Sequence, residues 1–335
     1  MRHAIRISLL TAASMMTLGF SADSFAANQR VVVGEDRGGG PQGSLPSHVL
    51  FIDSPSNNIS ADIEFPSGGG ISDLEALSNG DVLVRIASPA RVFRASPSTG
   101  TLEEFLPAST WNPEFGSPLA IGIDQSESLI VGTRKLVAPG MPTGQLARVD
   151  RESGATEVLV SDPRLERTLD IAVAPNGVIY LTTIIDDVLN IGGLYSFDPI
   201  TTDLSLIASG GLLTEPTGLT VVSETEVLVA SGRVIVSIDT QTGTSTTLFD
   251  DPNSASLFDV TYDSKSNDIY FTGEIFFGGE GVFRFQRGDQ PTLFAPLGNG
   301  GHSVGGITLT IPASPTMLGF AAMLLPTILR RPKRC

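Results

Sequence analysis

Cysteine is all but missing: the one residue in 335 is Cys335, the last of the chain. No intramolecular disulfide, Cys-x-x-Cys redox pair or cysteine-based zinc site can form. Positive charge is scarce too, with 21 basic residues against 36 acidic. Six of the 21, Arg2, Arg6, Arg330, Arg331, Lys333 and Arg334, sit in the two end segments. With those segments removed, and Asp23 with them, 15 basic residues face 35 acidic ones, a formal charge near −20. A body this acidic repels phosphate backbones, which excludes nucleic acid as a partner. The one Gly-x-Ser-x-Gly run, Gly301-His302-Ser303-Val304-Gly305, leads into the strand-like Gly306-Ile-Thr-Leu309 and not into a helix, so it is no nucleophile elbow, and His-Glu-x-x-His and P-loop patterns do not occur. What is present is apolar bulk, 41% of residues, together with 36 glycines and 22 prolines and only 17% charge. That composition requires a packed core and excludes a disordered chain.

The two ends differ from the rest. Arg2, His3 and Arg6 flank an apolar stretch from Ile5 to Phe20, and Ser24-Phe25-Ala26 offers small residues at the cleavage positions. Residues 1–26 therefore read as a secretory signal peptide. At the other end Ile311-Pro-Ala-Ser-Pro-Thr316 precedes the apolar run Met317–Leu329 and the cluster Arg330-Arg331-Pro332-Lys333-Arg334. Counted from Ile311, 19 residues are available to enter a bilayer, close to the ~20 of a membrane helix, and the arginines would stay on the cytoplasmic side. The order of proline motif, apolar helix and basic cluster resembles the PEP-CTERM sorting signals of bacteria, with Pro-Ala-Ser-Pro where that family has Pro-Glu-Pro. The resemblance implies an exosortase-like processing enzyme and delivery to the cell surface or the extracellular matrix. A plain C-terminal anchor is the alternative.

Between the ends one unit recurs. Two apolar strands are joined by a Ser/Asn/Gly turn, and a third strand ends in Asp or Ser before a polar turn and a fourth strand. The marker falls at Asp53, Ser96, Asp150, Asp198 and Asp239, at intervals of 43, 54, 48 and 41 residues. In three copies a glycine follows four residues later, as Gly100, Gly154 and Gly243. The Asp or Ser side chain bonds nearby backbone N–H groups and the glycine accepts the positive φ that closes such a hairpin. Spacing of ~40 to 50 residues per four strands predicts propeller blades. Units beginning at Ile71, Pro118, Leu169, Pro216 and Leu257 make five blades. Three strands left over at 30–65 and one at 303–309 complete a sixth, so the expected fold is an all-β, six-bladed β-propeller over residues 29–310, closed by both ends in one blade, plus a C-terminal membrane helix within 311–335. Pro216-Thr-Gly-Leu-Thr-Val221 and Pro175-Asn-Gly177 resemble the gluconolactonase (SMP-30), strictosidine-synthase-like and NHL propellers.

The innermost strands of a propeller line its channel. Aligning the units puts Asp73, Ala120, Asp170, Gly218, Asp259 and Gly306 at one level, with an aspartate on alternate blades. Two readings follow for Asp73, Asp170 and Asp259. Either they converge on one divalent cation, Ca2+ by their all-oxygen chemistry, or each caps its own strand through backbone N–H groups. The resemblance implies a calcium held by glutamate, asparagine and aspartate, of which the ring keeps only aspartates. His302 lies before the closing strand as a candidate general base; without a nucleophile elbow it equally reads as a polar loop residue. Trp111 and Phe115 are candidates for a sugar-stacking platform, or for packing over a blade edge. Asp186-Asp187 and Asp250-Asp251 read as solvated loop charges. The sequence thus leads to an exported propeller of the cell envelope or surface that binds an exopolysaccharide or an envelope protein. The alternative is a calcium-dependent, lactonase-like hydrolase working in the channel.

Overall fold

The computed structural model describes residues 29–310 apart from the short stretches 37–45, 55, 66–69, 88–89, 107–116, 139–140, 152, 253–255, 276–278 and 298–302. Among the described residues twenty-four strands form six antiparallel four-stranded sheets. Blade 1 takes β1 (Arg30–Asp36), β2 (Ser47–Asp53), β3 (Asn58–Phe65) and, from the far end of the chain, β24 (Ser303–Thr310). Blade 2 holds β4 (Ile71–Ala76), β5 (Val82–Ile86), β6 (Arg91–Ser96) and β7 (Thr101–Leu106). Blade 3 holds β8 (Ser117–Ile123), β9 (Leu129–Ala138), β10 (Met141–Val149) and β11 (Thr156–Asp162). Blade 4 runs from β12 (Thr168–Val173) through β13 (Ile179–Asp186) and β14 (Ile191–Asp198) to β15 (Asp203–Ser209). Blade 5 has β16 (Pro216–Ser223), β17 (Glu226–Ser231), β18 (Val234–Asp239) and β19 (Ser245–Asp250). Blade 6 has β20 (Ser256–Asp263), β21 (Asp268–Ile275), β22 (Gly279–Phe285) and β23 (Thr292–Pro296). The five expected unit starts fall within one residue of the first strands of blades 2 to 6.

Closure is as the leftover strands require. β1 lies between β24 and β2, with Val31 opposite Leu309 and Val33 opposite Ile307. Joining the ends within one sheet leaves no open inner edge where the ring meets itself. Arg30 stands opposite Thr310, so both ends of the propeller emerge on the face where the innermost strands finish. The mouth where those strands begin is the opposite face.

Six hydrophobic layers hold the blades, one at each interface. Between blades 5 and 6, for example, Leu228, Ala230 and Ile235 pack on Leu257, Ile269 and Phe271. Between blades 6 and 1, Tyr270 and Val282 meet Val31, Val33, Leu50 and Ile52. Each middle strand is thus buried on both faces, which is why Val227-Leu-Val-Ala230 and Val82-Leu-Val84 read as unbroken apolar runs rather than alternating ones.

The repeated turn is more regular than the sequence indicates. Residues Asn57, Gly100, Gly154, Thr202 and Gly243, each four past its marker, all have positive φ, between 56° and 71°. Each donates its backbone N–H to the marker's carbonyl at 2.8 to 2.9 Å. Asp198 Oδ1 accepts from Ile200 N at 2.8 Å, and Asp239 Oδ1 from Thr242 N at 2.7 Å. Thr202, at φ 61°, is β-branched where its counterparts are glycine or asparagine, and the left-handed region disfavours such a side chain.

Among the described residues no helix is long and apolar enough to cross a membrane. The expected membrane helix of 311–335 and the signal of 1–26 lie outside the described residues, as do Trp111, Phe115 and His302.

Relief of the strain at Thr202 gives a direct test. Thr202→Gly should stabilise the protein by about 1 kcal/mol and raise its melting temperature by about 2 °C or more. An unchanged or lowered melting temperature in calorimetry would show that the turn carries no strain.

Candidate functional site

The channel is built by a bulge repeated on every blade. In β4, β8, β12, β16 and β20 the register with the second strand slips by one residue, at Ser72, Leu119, Leu169, Thr217 and Phe258. A bulge re-aims its side chain out of the ladder, and all five residues line a cavity of about 450 Å³ at the mouth. Immediately after the bulges come the six residues of the expected ring. Asp73, Asp170 and Asp259 form the floor of this cavity and also line a second one, of about 190 Å³, farther along the channel.

The three aspartates do the same thing on three interfaces. Asp73 Oδ2 accepts from Ile121 N of blade 3 at 2.8 Å. Asp170 Oδ2 accepts from Leu219 N of blade 5, and Asp259 Oδ2 from Ile307 N of blade 1 at 2.7 Å. The other oxygen turns back to the strand it belongs to: Asp170 Oδ1 accepts from Ile171 N at 2.8 Å and Asp259 Oδ1 from Val260 N at 2.7 Å. Each acceptor therefore ties its own blade to the next.

The residues between the aspartates are small for a steric reason. A Cβ on Gly218 would stand 2.5 Å from Asp259 Cα, and one on Gly306 would stand 2.8 Å from Leu74 N and 3.0 Å from Asp73 Cα. Aspartate on one blade requires next to nothing on the blade before it.

The oxygens of all three side chains accept backbone N–H groups, as strand caps do, and these caps cross between blades. The three carboxylates share the channel lining, but each points its oxygens at N–H groups of separate strands. Among the described residues no group of three or more His, Cys, Asp or Glu side chains is arranged to hold a metal ion.

Two further charged residues were not singled out from the sequence. Glu75, two positions past Asp73, lines the inner cavity beside Thr220, Thr261 and Thr308, which occupy the matching position on blades 5, 6 and 1. Arg85 is the one charge in the strand Val82-Leu-Val-Arg-Ile86, and that isolation was its legible signal. It is buried at the mouth, where Nε and Nη2 donate to Pro118 O of blade 3 at 3.1 and 2.8 Å and Nη1 donates to Ser72 Oγ.

Burial dominates the electrostatics. It pushes Asp73 up to about 6, against the pull of the Ile121 N–H and the Arg85 guanidinium. Asp170 is raised well above the ordinary carboxylate range, first by burial and then by the charges of Asp73, Asp259 and Glu75. Asp259 and Glu75 are raised for the same two reasons, although N–H bonds from Ile307 and Val260 oppose the shift at Asp259. Burial also lowers Arg85, and the neighbouring Asp73 partly offsets it.

No family model and no curated protein matches this sequence. Solved structures do match its fold. The propeller of a nidogen/laminin complex superposes with a TM-score of 0.63 at 15% identity, over 84% of this chain and 98% of that one. A Bacteroides caccae protein of unknown function gives 0.58 at 12% identity, over 84% and 98%. TolB from Acinetobacter baumannii gives 0.61 at 10% identity, over 84% and 66%. At these identities the likeness concerns the fold alone. The chain is an all-β, six-bladed propeller. Nothing in these matches distinguishes the gluconolactonase or NHL type that the sequence resembles.

Two measurements test the ring. A carboxyl whose pKa is higher folded than unfolded holds extra protons in the native state, so its contribution falls as pH rises from the unfolded value of ~3.9 through the folded one. For Asp73 that window runs from there to about 6, and for Asp170, Asp259 and Glu75 it extends higher. The melting temperature should therefore rise as pH falls from 8 towards 5, and Asp170→Asn should flatten that slope; a melting temperature independent of pH over this range would contradict the shifts. Separately, Gly218→Ala should cost about 1 to 3 kcal/mol through forced displacement at Asp259, whereas a neutral effect would mean that the blade interface is slack.

Proposed function

We propose that this protein is an exported, surface- or matrix-associated propeller acting as a binding or interaction module, with the channel mouth as its ligand-facing surface. The observation that carries this reading is the use made of the channel's polar groups. The three aspartates and Arg85 are engaged in hydrogen bonds between blades, so the ring works as a scaffold beneath an open, largely apolar mouth. Leu119, Leu169 and Phe258 offer contact surface there, edged by the hydroxyls of Ser72 and Thr217, which are bonded to Arg85 and to Leu257 O, the mixture expected of a recognition pocket.

Orientation supports the same reading. Both ends of the propeller leave by the face opposite the mouth. With the signal of 1–26 removed and the tail of 311–335 in or near a membrane, the mouth would face away from the bilayer. The partner class is an exopolysaccharide or an envelope protein, and tail processing would fall to an exosortase-like enzyme. That a propeller of like fold was solved in a nidogen/laminin complex is in keeping with an interaction role.

The test uses the full chain. Binding to surface polysaccharide and envelope-protein fractions should be detectable, and Leu119→Arg, which fills the mouth with a charged side chain, should weaken it at least about tenfold while leaving the melting temperature close to the parent's. In parallel, a panel of lactones and esters with and without calcium chelator should show no chelator-sensitive turnover. Chelator-sensitive hydrolysis, or a calcium-dependent rise in melting temperature that the triple Asp73→Asn, Asp170→Asn, Asp259→Asn variant loses, would replace this reading with the calcium-dependent hydrolase.

A further inference from the structure

Blade 4 differs from its neighbours at the outside of the ring. Each blade ends in an outermost strand with one open edge, and such edges are commonly protected by charge or proline. β3 carries Asp62 and Glu64, β7 Glu103 and Glu104, β11 Glu157 and Asp162, β19 Asp250, and β23 Pro296. β15 has a single charge, Asp203 at its start, and then runs through 204–209 with neither charge nor proline. One bulge interrupts every outermost strand, so composition and not shape sets β15 apart.

Apolar side chains gather on the same blade. Of the eight large hydrophobic residues exposed among the described ones, five belong to it: Ile185, Val188, Leu189, Ile200 and Leu206. Leu206, in β15, and Ile185 both lie over Gly193, where a Cβ would stand 2.6 Å from Ile185 Cδ1 and 3.4 Å from Leu206 Cδ1. The bare glycine lets the two side chains share one apolar surface next to the open edge.

The charge carried by this blade has one sign. No Lys, Arg or His occurs between Arg167 and Arg233. Outside the channel, blade 4 holds Asp186, Asp187, Asp198 and Asp203, of which Asp187 is paired with Arg167. The other three form no ion pair among the described residues. Asp186 Oδ1 and Asp198 Oδ1 accept only N–H groups of their own turns, from Val188 and Leu189 at 2.9 and 3.0 Å and from Ile200 at 2.8 Å and Thr201 at 3.5 Å. On the blade 3 side the guanidinium groups are spent: Arg148 pairs with Asp124 at 3.0 Å and Glu157 at 3.5 Å, and Arg164 with Asp162 at 2.8 Å. Asp203 stands directly opposite Asp198 in the ladder. Like charges so placed are unfavourable, and a cation laid over them relieves the repulsion.

From the open edge, the apolar surface beside it and the unmet carboxylates at its end, we infer that β15 is a docking site for an extended, basic segment of a partner protein. The segment adds a strand to blade 4 through main-chain hydrogen bonds, lays an aliphatic side chain on Leu206 and Ile185, and sets a lysine or arginine over Asp198 and Asp203. The acidic body draws such a segment in from a distance. The same acidity opposes the two other occupants of an apolar edge. A second copy would bring Asp198 and Asp203 towards their own counterparts, and an anionic membrane would be repelled. This site is separate from the channel mouth, since β15 is the outermost strand of its blade and the mouth belongs to the innermost ones.

The experiment uses the full chain and fluorescently labelled peptides. At ~3.3 Å per residue the uncharged part of β15 spans about 20 Å, so the probe is a six-residue core of alternating valine and threonine with two lysines at each end. Two controls keep the length: one has glutamates in place of the lysines, the other a proline in the middle of the core. Fluorescence anisotropy should show binding of the lysine-flanked peptide, at least about tenfold tighter than of either control. Leu206→Lys should weaken that binding at least about tenfold and, at a half-exposed site, leave the melting temperature close to the parent's. Asp198→Asn with Asp203→Asn keeps the Oδ1 acceptor of the turn; it should cost about two- to fivefold and flatten the dependence on salt. Equal binding of the glutamate-flanked or proline peptide, or no binding at millimolar concentration, would overturn the docking site. So would binding that Leu119→Arg abolishes and Leu206→Lys leaves unchanged, which would assign the peptide to the mouth. Self-association in sedimentation, or pelleting with phosphatidylcholine/phosphatidylglycerol vesicles, would overturn it equally if Leu206→Lys abolished either, since the edge would then serve a second copy or a lipid surface.

Discussion

A buried carboxylate can persist only if something inside the protein replaces the water it has lost, and here the replacement is the backbone N–H of the neighbouring blade. Everything else about the channel is arranged around that need. The bulge before each ring position turns the chain so that the aspartate reaches across. Glycine or alanine on the preceding blade makes room for it. The hydrophobic layers hold the blades together at every interface, but they are non-directional; the hydrogen bonds fix how far each blade is rotated about the axis.

This arrangement separates two kinds of work that a propeller channel performs. In the inner part, charge is confined: four carboxyls raised by burial and by one another, with one buried guanidinium near them. At the mouth the bulge residues add apolar and hydroxyl-bearing side chains around a floor made by the three aspartates, with Arg85 beside them. A ligand at the mouth would meet Leu119, Leu169 and Phe258 around a floor of carboxyls.

Much of the architecture was legible because it is written in local chemistry. The marker Asp or Ser and the left-handed residue four places on define a hairpin within a single window, and the doubly buried strands announce themselves as β-branched runs. The strand count at the two ends then leaves only one way to close the ring. The ring aspartates were legible as a level, since Asp73, Asp170 and Asp259 share an offset from their turns. Their partners were not. The N–H groups of Ile121, Leu219 and Ile307 belong to other blades, and no spacing along one strand reveals what faces it across an interface. Asn57 and Thr202 escaped notice because the pattern was sought in glycine, whereas the requirement is a positive φ that asparagine meets readily and threonine only under strain.

The hydrogen bonds that cross the channel span sequence separations of 48, 49 and 48 residues and link blade 2 to 3, 4 to 5 and 6 to 1. None of the three ring aspartates reaches across the remaining interfaces, where a small ring residue meets the back of an aspartate strand. Seen down its axis, then, the molecule has six blades but threefold chemistry. It is in effect a trimer of blade pairs joined in a single chain, and because one of those pairs joins the first blade to the last, the break in the polypeptide falls inside a repeating unit and leaves the symmetry of the ring intact.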